Sequence, residues 1–354
     1  MKRFLLKHVG NMGDLTFFIP PVLATLKRHY PDCHITLITA WGFKDRRGRW
    51  GKRNQDGFCL NLMMTNPHLD QLVHWHDTKL SLAAKICEEE GQRFPTWNKE
   101  YFTQQKEAGG YDGVYELDFG LKITDNPIQK MYEKVGLPQE TYTDYKLYFT
   151  PRDREVAEHV TRKLPQPRIV LLEGLESTTT RGWDPGKITG LEQVIKQVYG
   201  VRPLWFGARH VPYFEGRPLT LRENIATLTL CDVAIGVLSG PLHFAAAAGT
   251  PTLTLYCDHS LQRAAPAYFL NHYMPAAAPR HQTLLGPDNP IMKTLKNDTP
   301  ALNLTPQEAQ TQGTQDWLRP GRQSTKTCLA VITIEEIMTV LGDILPHPED
   351  TGHF

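Results

Sequence analysis

Three stretches hold residue types that could do chemistry. The first is Val237-Leu238-Ser239-Gly240-Pro241-Leu242-His243, continued by Phe244-Ala245-Ala246-Ala247-Ala248-Gly249-Thr250-Pro251. A Ser-Gly turn feeding a helix aims several backbone N–H groups at one point, and the helix N-terminus adds partial positive charge. That combination binds anions, phosphate above all. His243 is expected in the first helical turn, facing the same point. The same pattern also fits a close-packed crossover with a buried histidine. The second stretch is Gly10-Asn11-Met12-Gly13-Asp14. Asp14 stands just past a first strand, where open α/β sheets hold their ligands. A carboxylate there can take a proton from a substrate hydroxyl. Asp is also a preferred helix N-cap, and spacing alone favours the cap. The loop has neither the spacing of a dinucleotide fingerprint nor the Gly-Lys-Ser/Thr of a P-loop. The third stretch runs from Lys44 to Arg53, with Arg46, Arg47, Arg49, Lys52 and Arg53 around a single Asp45. Arginine forks there could clamp a multiply anionic partner, or the loop could simply be solvated. His74-Trp75-His76 puts two imidazoles on one face of a strand, but no third ligand is evident and no metal is expected.

The elements that must position these residues follow from apolar periodicity. Phe4–Val9 reads as a strand, and a helix carrying Ile19, Val22, Leu23, Leu26 and Tyr30 is expected to start at Pro20-Pro21. His34–Thr39 is the next strand. Residues 79–110 read as polar and helical, Gly113–Asp118 as a strand, and Ile128–Val135 as a helix stopped at Gly136. Thr150-Pro151-Arg152 reads as a domain boundary. Beyond it, strands are expected at Arg168–Leu172, Pro203–Phe206, Val233–Gly236 and Thr252–Tyr256. Helices are expected at Leu191–Val198, Thr220–Leu230 and Leu242–Ala248. Residues 266–322 are rich in Pro, Gln, Asn and Thr and read as irregular. Val331–Leu345 is a terminal amphipathic helix. Repeated βα units predict parallel sheets covered by helices.

Length and composition narrow the class. At 354 residues the chain is long for one core, so two domains are expected. With 40% hydrophobic and 22% charged residues it is globular, and a net charge of +1 argues against a nucleic-acid partner. The six cysteines form no CxxC pair, and Met1–Val9 reads as a strand rather than an export signal. A cytoplasmic home follows, with at most peripheral contact at the inner membrane.

The motifs, taken together, resemble glycosyltransferase family 9, the bacterial ADP-heptose:lipopolysaccharide heptosyltransferases. The N-terminal Met12-Gly13-Asp14 before a Pro-containing helix is similar to that family. So is Ser239 to Pro251, which resembles its Asp-(Ser/Thr)-Gly-x-x-His-x-Ala-Ala-x-Gly-x-Pro signature. Arg181-Gly182-Trp183 looks like a Lys-x-Trp, Asn66–Val73 like the segment after the second strand, and Cys328–Ile337 like the approach to the terminal helix. The resemblance implies a GT-B fold, two Rossmann-like doubly wound domains facing across a cleft. Residues 1–150 would form the acceptor-binding domain and 151–330 the donor-binding domain. Residues 331–354 would form a terminal helix and tail that packs back on the first domain. It implies Asp14 as general base, with Asn11, Met12 and Gly13 in the loop near donor and acceptor. Arg181, Ser239, Gly240, Pro241, Leu242 and His243 would hold the diphosphate. The implied donor is a nucleoside diphosphate sugar, with ADP-heptose the first candidate, and no separate cofactor or metal is implied. The implied acceptor is an anionic glycan or glycolipid, which the basic loop would handle. Two positions depart from the family: Leu238 stands where it has Asp, and Arg181 where it has Lys. A GT-B sugar-nucleotide epimerase or hydrolase, drawing on Glu173 and Glu176, and a non-catalytic nucleotide-sugar binder are the alternatives.

Overall fold

A computed structural model describes residues 1–9, 12–39, 58–75, 96–117, 127–137, 146–176, 183–207, 211–237, 239–256, 281–285 and 332–345. The chain divides into two compact units. Unit 1 comprises Met1–Gly120, Pro127–Glu155 and Leu219–Asn224, and unit 2 comprises Leu121–Asn126, Val156–Pro218 and Ile225–Phe354.

Unit 1 is built on five parallel strands: β1 (Arg3–His8), β2 (His34–Thr39), β3 (Gln71–Trp75), β4 (Thr96–Trp97) and β5 (Gly113–Glu116). Their order is β4-β3-β2-β1-β5. β1, β2 and β3 run apolar along most of their length because a parallel sheet is covered on both faces. On one face Leu5, Ile38 and Val73 pack with Trp97 and with Phe102 of helix α3 (Lys99–Glu107). On the other, Phe4 stacks at 5.2 Å on Tyr30, at the end of helix α1 (Met12–His29). A bond of 3.1 Å between the Thr25 and Tyr132 hydroxyls joins α1 to helix α4 (Pro127–Val135).

Helix α1 corrects the sequence reading. It starts at Met12, not at the prolines, and Pro20 and Pro21 lie inside it. Each proline removes a helical hydrogen bond at a cost of about 3 kcal/mol. Leu15, Ile19, Val22, Leu23 and Leu26 are fully buried or nearly so along one stripe, and tertiary packing of that stripe overrides the local penalty. The polar stretch ahead of β5 also contains β4, a strand too short to show a period. A six-residue helix α2 (Phe58–Met63) lies between β2 and β3.

Helix α5 (Pro151–Thr161) begins at the expected Thr150-Pro151 boundary, with Pro151 at the first helical position, and the division between the units falls within it, after Glu155. Asp153 in its first turn is 2% exposed and accepts from the Thr150 N–H (2.7 Å), the Thr150 hydroxyl (2.6 Å) and Arg222 Nε (2.7 Å). The Arg222 guanidinium also donates to the Asn61 carbonyl at 2.9 Å. Segment Leu219–Asn224 belongs to unit 1 through these bonds.

Unit 2 has a second parallel sheet of β6 (Ile169–Leu172), β7 (Leu204–Phe206), β10 (Val233–Val237), β11 (Thr252–Tyr256) and β12 (His281–Leu285). Their order is β12-β11-β10-β6-β7. β12 falls inside the stretch read as irregular. A hairpin, β8 (Tyr213–Phe214) and β9 (Arg217–Pro218), also escaped the reading; its turn puts both Glu215 and Gly216 at positive φ, 51° and 78°. Helix α6 (Pro185–Tyr199) has Asp184 as its N-cap, accepting from the Lys187 N–H at 3.0 Å, and stops at Gly200 in the left-handed conformation. Helix α7 (Leu221–Leu228) precedes β10, and helix α8 (Gly240–Ala247) joins β10 to β11. The terminal helix α9 (Ile334–Ile344) opens with a full capping box between Thr333 and Glu336. Its stripe of Ile337 and Leu341, with Leu345 beyond, lies in the unit 2 core with Ile188, Leu191 and Ile195 of α6, rather than in the N-terminal domain as expected. Gly190 permits the close approach, since a Cβ there would come within 2.8 Å of Ile334 Cδ1.

Candidate functional site

The β10–α8 junction is built as the sequence implies. β10 is buried throughout, and Gly236 has no room for a side chain, because a Cβ would meet Leu172 at 2.7 Å. The strand ends at Val237, and the chain turns through Ser239, extended at φ −159°, ψ 168°, as the N-cap of α8. Gly240 is the first helical residue, so Pro241 is second rather than first. Helix geometry leaves the first-turn N–H groups without intrahelical partners. Since proline has none, those of Gly240 and Leu242 remain as donors. The helix carries no acidic residue in its first turn. Every residue from Leu242 to Ala247 is buried, so the helix is covered on all sides. It ends at Ala248 and Gly249, the latter at φ +84°, with Gly249 N–H bonded to the Ala246 carbonyl and Thr250 N–H to that of Ala245, both at 3.0 Å.

Ser239 does not behave as an ordinary cap. Its hydroxyl makes no bond to the helix and is buried with no hydrogen-bond partner among the described residues. His243 lies one turn on and is 8% exposed. Burial lowers its pKa to about 4, so the imidazole is neutral at pH 7 and can serve a phosphate only as an N–H donor. The sequence left open a histidine facing the anion and a buried one in a close-packed crossover; the structure buries the ring.

At the other junction, β1 ends at His8 and α1 begins at Met12, so Met12, Gly13 and Asp14 are the first three helical residues. Asp14 is therefore the third residue of the helix rather than its N-cap. Asn11, Arg181, Leu238 and the basic residues Arg46, Arg47, Arg49, Lys52 and Arg53 lie outside the described residues, as does His76. Glu173 opens a short 3-10 turn (Glu173–Glu176) directly after β6, and Gly207, after β7, has no side chain because a Cβ would run into that of Glu173. Among the described residues no three His, Cys, Asp or Glu side chains group as a metal set, and no helix is long and apolar enough to cross a membrane.

The sequence reading passed over His8 and Thr39. Both end strands whose alternation puts them on a covered face, and they are 0% and 1% exposed. The signal was a polar residue closing an apolar strand.

Residues 217–283, which span β9 to the start of β12 and include the whole β10–α8 junction, match the family Glycosyltransferase family 9 (heptosyltransferase). Comparison with curated protein sequences finds no match. Among solved structures, a family 9 glycosyltransferase from Veillonella parvula is similar at a TM-score of 0.60 and 16% identity, over 97% of each chain. The E. coli ADP-heptose lipopolysaccharide heptosyltransferase II gives 0.54 and 15%, over 97% of this chain and 98% of that one. E. coli heptosyltransferase WaaC with ADP gives 0.50 and 12%, over 97% and 100%. At such identities these likenesses establish the fold, which is GT-B.

Proposed function

We propose that this chain, a glycosyltransferase resembling family 9 through residues 217–283, transfers a heptose or related sugar with inversion. The donor is a nucleoside diphosphate sugar, ADP-heptose the first candidate, and the acceptor a hydroxyl of lipopolysaccharide or another surface glycan. The observation that carries the reading is Ser239, an N-cap whose buried hydroxyl has no hydrogen-bond partner among the described residues, at the start of a helix with no acid in its first turn. A diphosphate would accept from that hydroxyl and from the Gly240 and Leu242 N–H groups, and the helix dipole would favour its charge. His243 adds a neutral N–H donor. Arg181 supplies a cation, so that the leaving group is stabilised without a metal.

In the transfer, Asp14 accepts the proton of the acceptor hydroxyl as that oxygen bonds to the anomeric carbon. The bond from that carbon to the diphosphate oxygen breaks, and the nucleoside diphosphate leaves with the electron pair. Asn11, Met12 and Gly13 shape the approach to Asp14. Arg46, Arg47, Arg49, Lys52 and Arg53 meet anionic groups of the acceptor. The test is transfer from ADP-heptose to heptose-deficient lipopolysaccharide by wild type and Asp14→Asn. Removal of a general base slows turnover by ~10²–10⁴ while donor affinity changes little. Near-normal turnover in the variant would contradict the assignment.

A further inference from the structure

Two helices of the chain are shared between the units. Helix α5 has its residues up to Glu155 in unit 1 and continues from Val156 in unit 2. Helix α7 has its residues up to Asn224 in unit 1 and continues from Ile225 in unit 2. Both open with the same device. At α5 the Thr150 N–H donates to the Asp153 carboxylate at 2.7 Å, and the Asp153 N–H donates to the Thr150 hydroxyl at 3.1 Å. At α7, Thr220 and Glu223 exchange the same two bonds at 2.8 and 3.2 Å. Each is a capping box, a threonine with an acid three residues on. The boxes belong to unit 1. The buried side chains that follow, Val156 and Ala157 in α5 and Ile225, Ala226 and Leu228 in α7, belong to unit 2.

Arg222 joins the two first turns. Its Nε donates to Asp153 Oδ2 at 2.7 Å, and one terminal nitrogen donates to the Asn61 carbonyl at 2.9 Å. Its backbone N–H donates to the Asn61 side-chain oxygen at 3.2 Å. The Arg222 and Asp153 side chains are 12% and 3% exposed, so the pair is largely desolvated. Such a pair adds little net stability over apolar groups of the same volume, but losing one partner strands the other charge. Its worth therefore lies in what it ties together. A helix forms cooperatively from a costly nucleus, so loss of either part of α5 or α7 undermines the rest of that helix.

We propose that the Asp153–Arg222 pair is a clamp that makes the two units unfold as one cooperative body. Melting of α5 and α7 in unit 2 withdraws Arg222 from Asp153 and Asn61 in unit 1. Melting of unit 1 withdraws both capping boxes from the helices that continue into unit 2. Without a tie of this kind, parts of a chain open separately, each at its own free energy. With it, a ligand that binds either unit stabilises both. The proposal stands apart from the transferase reading, and its test needs no ligand.

Native-state hydrogen exchange of the full chain, read by mass spectrometry in rising urea, tests the clamp. Peptides covering β1 and β2 report on unit 1, and peptides covering β10 and β11 on unit 2. In wild type the highest protection factors of the two sets should converge as urea rises, because both amide sets exchange through the same global opening. Arg222→Ala should separate them by about tenfold or more, with unit 1, where Asp153 is stranded, exchanging faster. A pair that merely added stability would lower both sets equally and leave them together. Asp153→Asn keeps an oxygen for its three donors and loses only the charge, so it should separate the sets by about threefold. That milder variant decides the matter if Arg222→Ala does not fold. Sets that stay apart in wild type, or that stay together in every folded variant, would overturn the proposal.

Discussion

Both sheets are five-stranded and parallel, but their strand orders differ and so do the residues at their carboxyl ends. In unit 2 Leu172, Phe206, Val237 and Leu255 are apolar and buried near the carboxyl ends, although Thr254 of β11 is a buried polar residue there. In unit 1 the corresponding positions are His8, Thr39 and His74, equally buried and polar. The helices that follow differ in the same sense. Helix α8 starts with Gly240, Pro241 and Leu242 and no acid, whereas α1 starts with Met12, Gly13 and Asp14. A first turn free of acid leaves the N-terminus of α8 to an outside anion. Under the proposed function, unit 2 would hold its ligand by backbone and dipole, which suits a phosphate. Unit 1 would act through side chains, which suits proton transfer.

The most damaging test of this contrast makes one junction resemble the other. Ser239→Asp puts a carboxylate at the N-cap of α8, where Asp caps at least as well as Ser. The melting temperature should hold or rise, while nucleoside diphosphate affinity should fall by ~10²-fold or more from like-charge repulsion in a desolvated site. Calorimetry that finds unchanged affinity would break the contrast. Paired and unpaired buried polar groups in unit 1 provide the next test. Arg222→Ala strands the Asp153 carboxylate, at a cost of about 3 kcal/mol in denaturant unfolding. Thr39→Val acts in the opposite direction, because the Thr39 hydroxyl is buried with no hydrogen-bond partner among the described residues.

His243 gives a pH test of comparable or smaller size. Its folded pKa, about 4, lies below the ordinary 6.5 because burial disfavours the charged ring. The unfolded chain therefore binds the proton first. Stability is fully present above pH 6.5 and declines as pH falls toward 4, by up to about 3 kcal/mol from this one residue. His243→Gln should flatten the stability curve in that window, as read by unfolding at a series of pH values. An unchanged slope would mean that the ring is not held neutral. The smallest expected effect is at Gly249, φ +84° with open space where a Cβ would go. Gly249→Ala should cost about 1 kcal/mol through backbone strain alone.

Much of this was legible in the sequence, for reasons particular residues show. β2 and β11 were read with their true ends because each is a compact apolar run between turn signals. The Ser239–Pro251 block was readable because a turn, a small-residue helix and a terminating glycine follow one another without interruption. The prolines of α1 misled because local chemistry at Pro20-Pro21 argues for a helix start, while the burial of Leu15 and Ile19 that overrides it is a tertiary fact. β12 was hidden in a stretch of breaker residues, since its partner β11 is what makes it a strand. The polar row of unit 1 could not be seen at all, because His8, Thr39 and His74 become neighbours only through strand register.

The central claim is that the β10–α8 junction holds a nucleoside diphosphate, and calorimetry tests it most directly. ADP, GDP, UDP, CDP and the four monophosphates would be titrated into wild type in the presence of a chelator. The account predicts binding of one diphosphate, its monophosphate at least tenfold weaker, and loss of that preference in Ser239→Ala. No binding by any of the eight, or equal affinity for mono- and diphosphate, would contradict it.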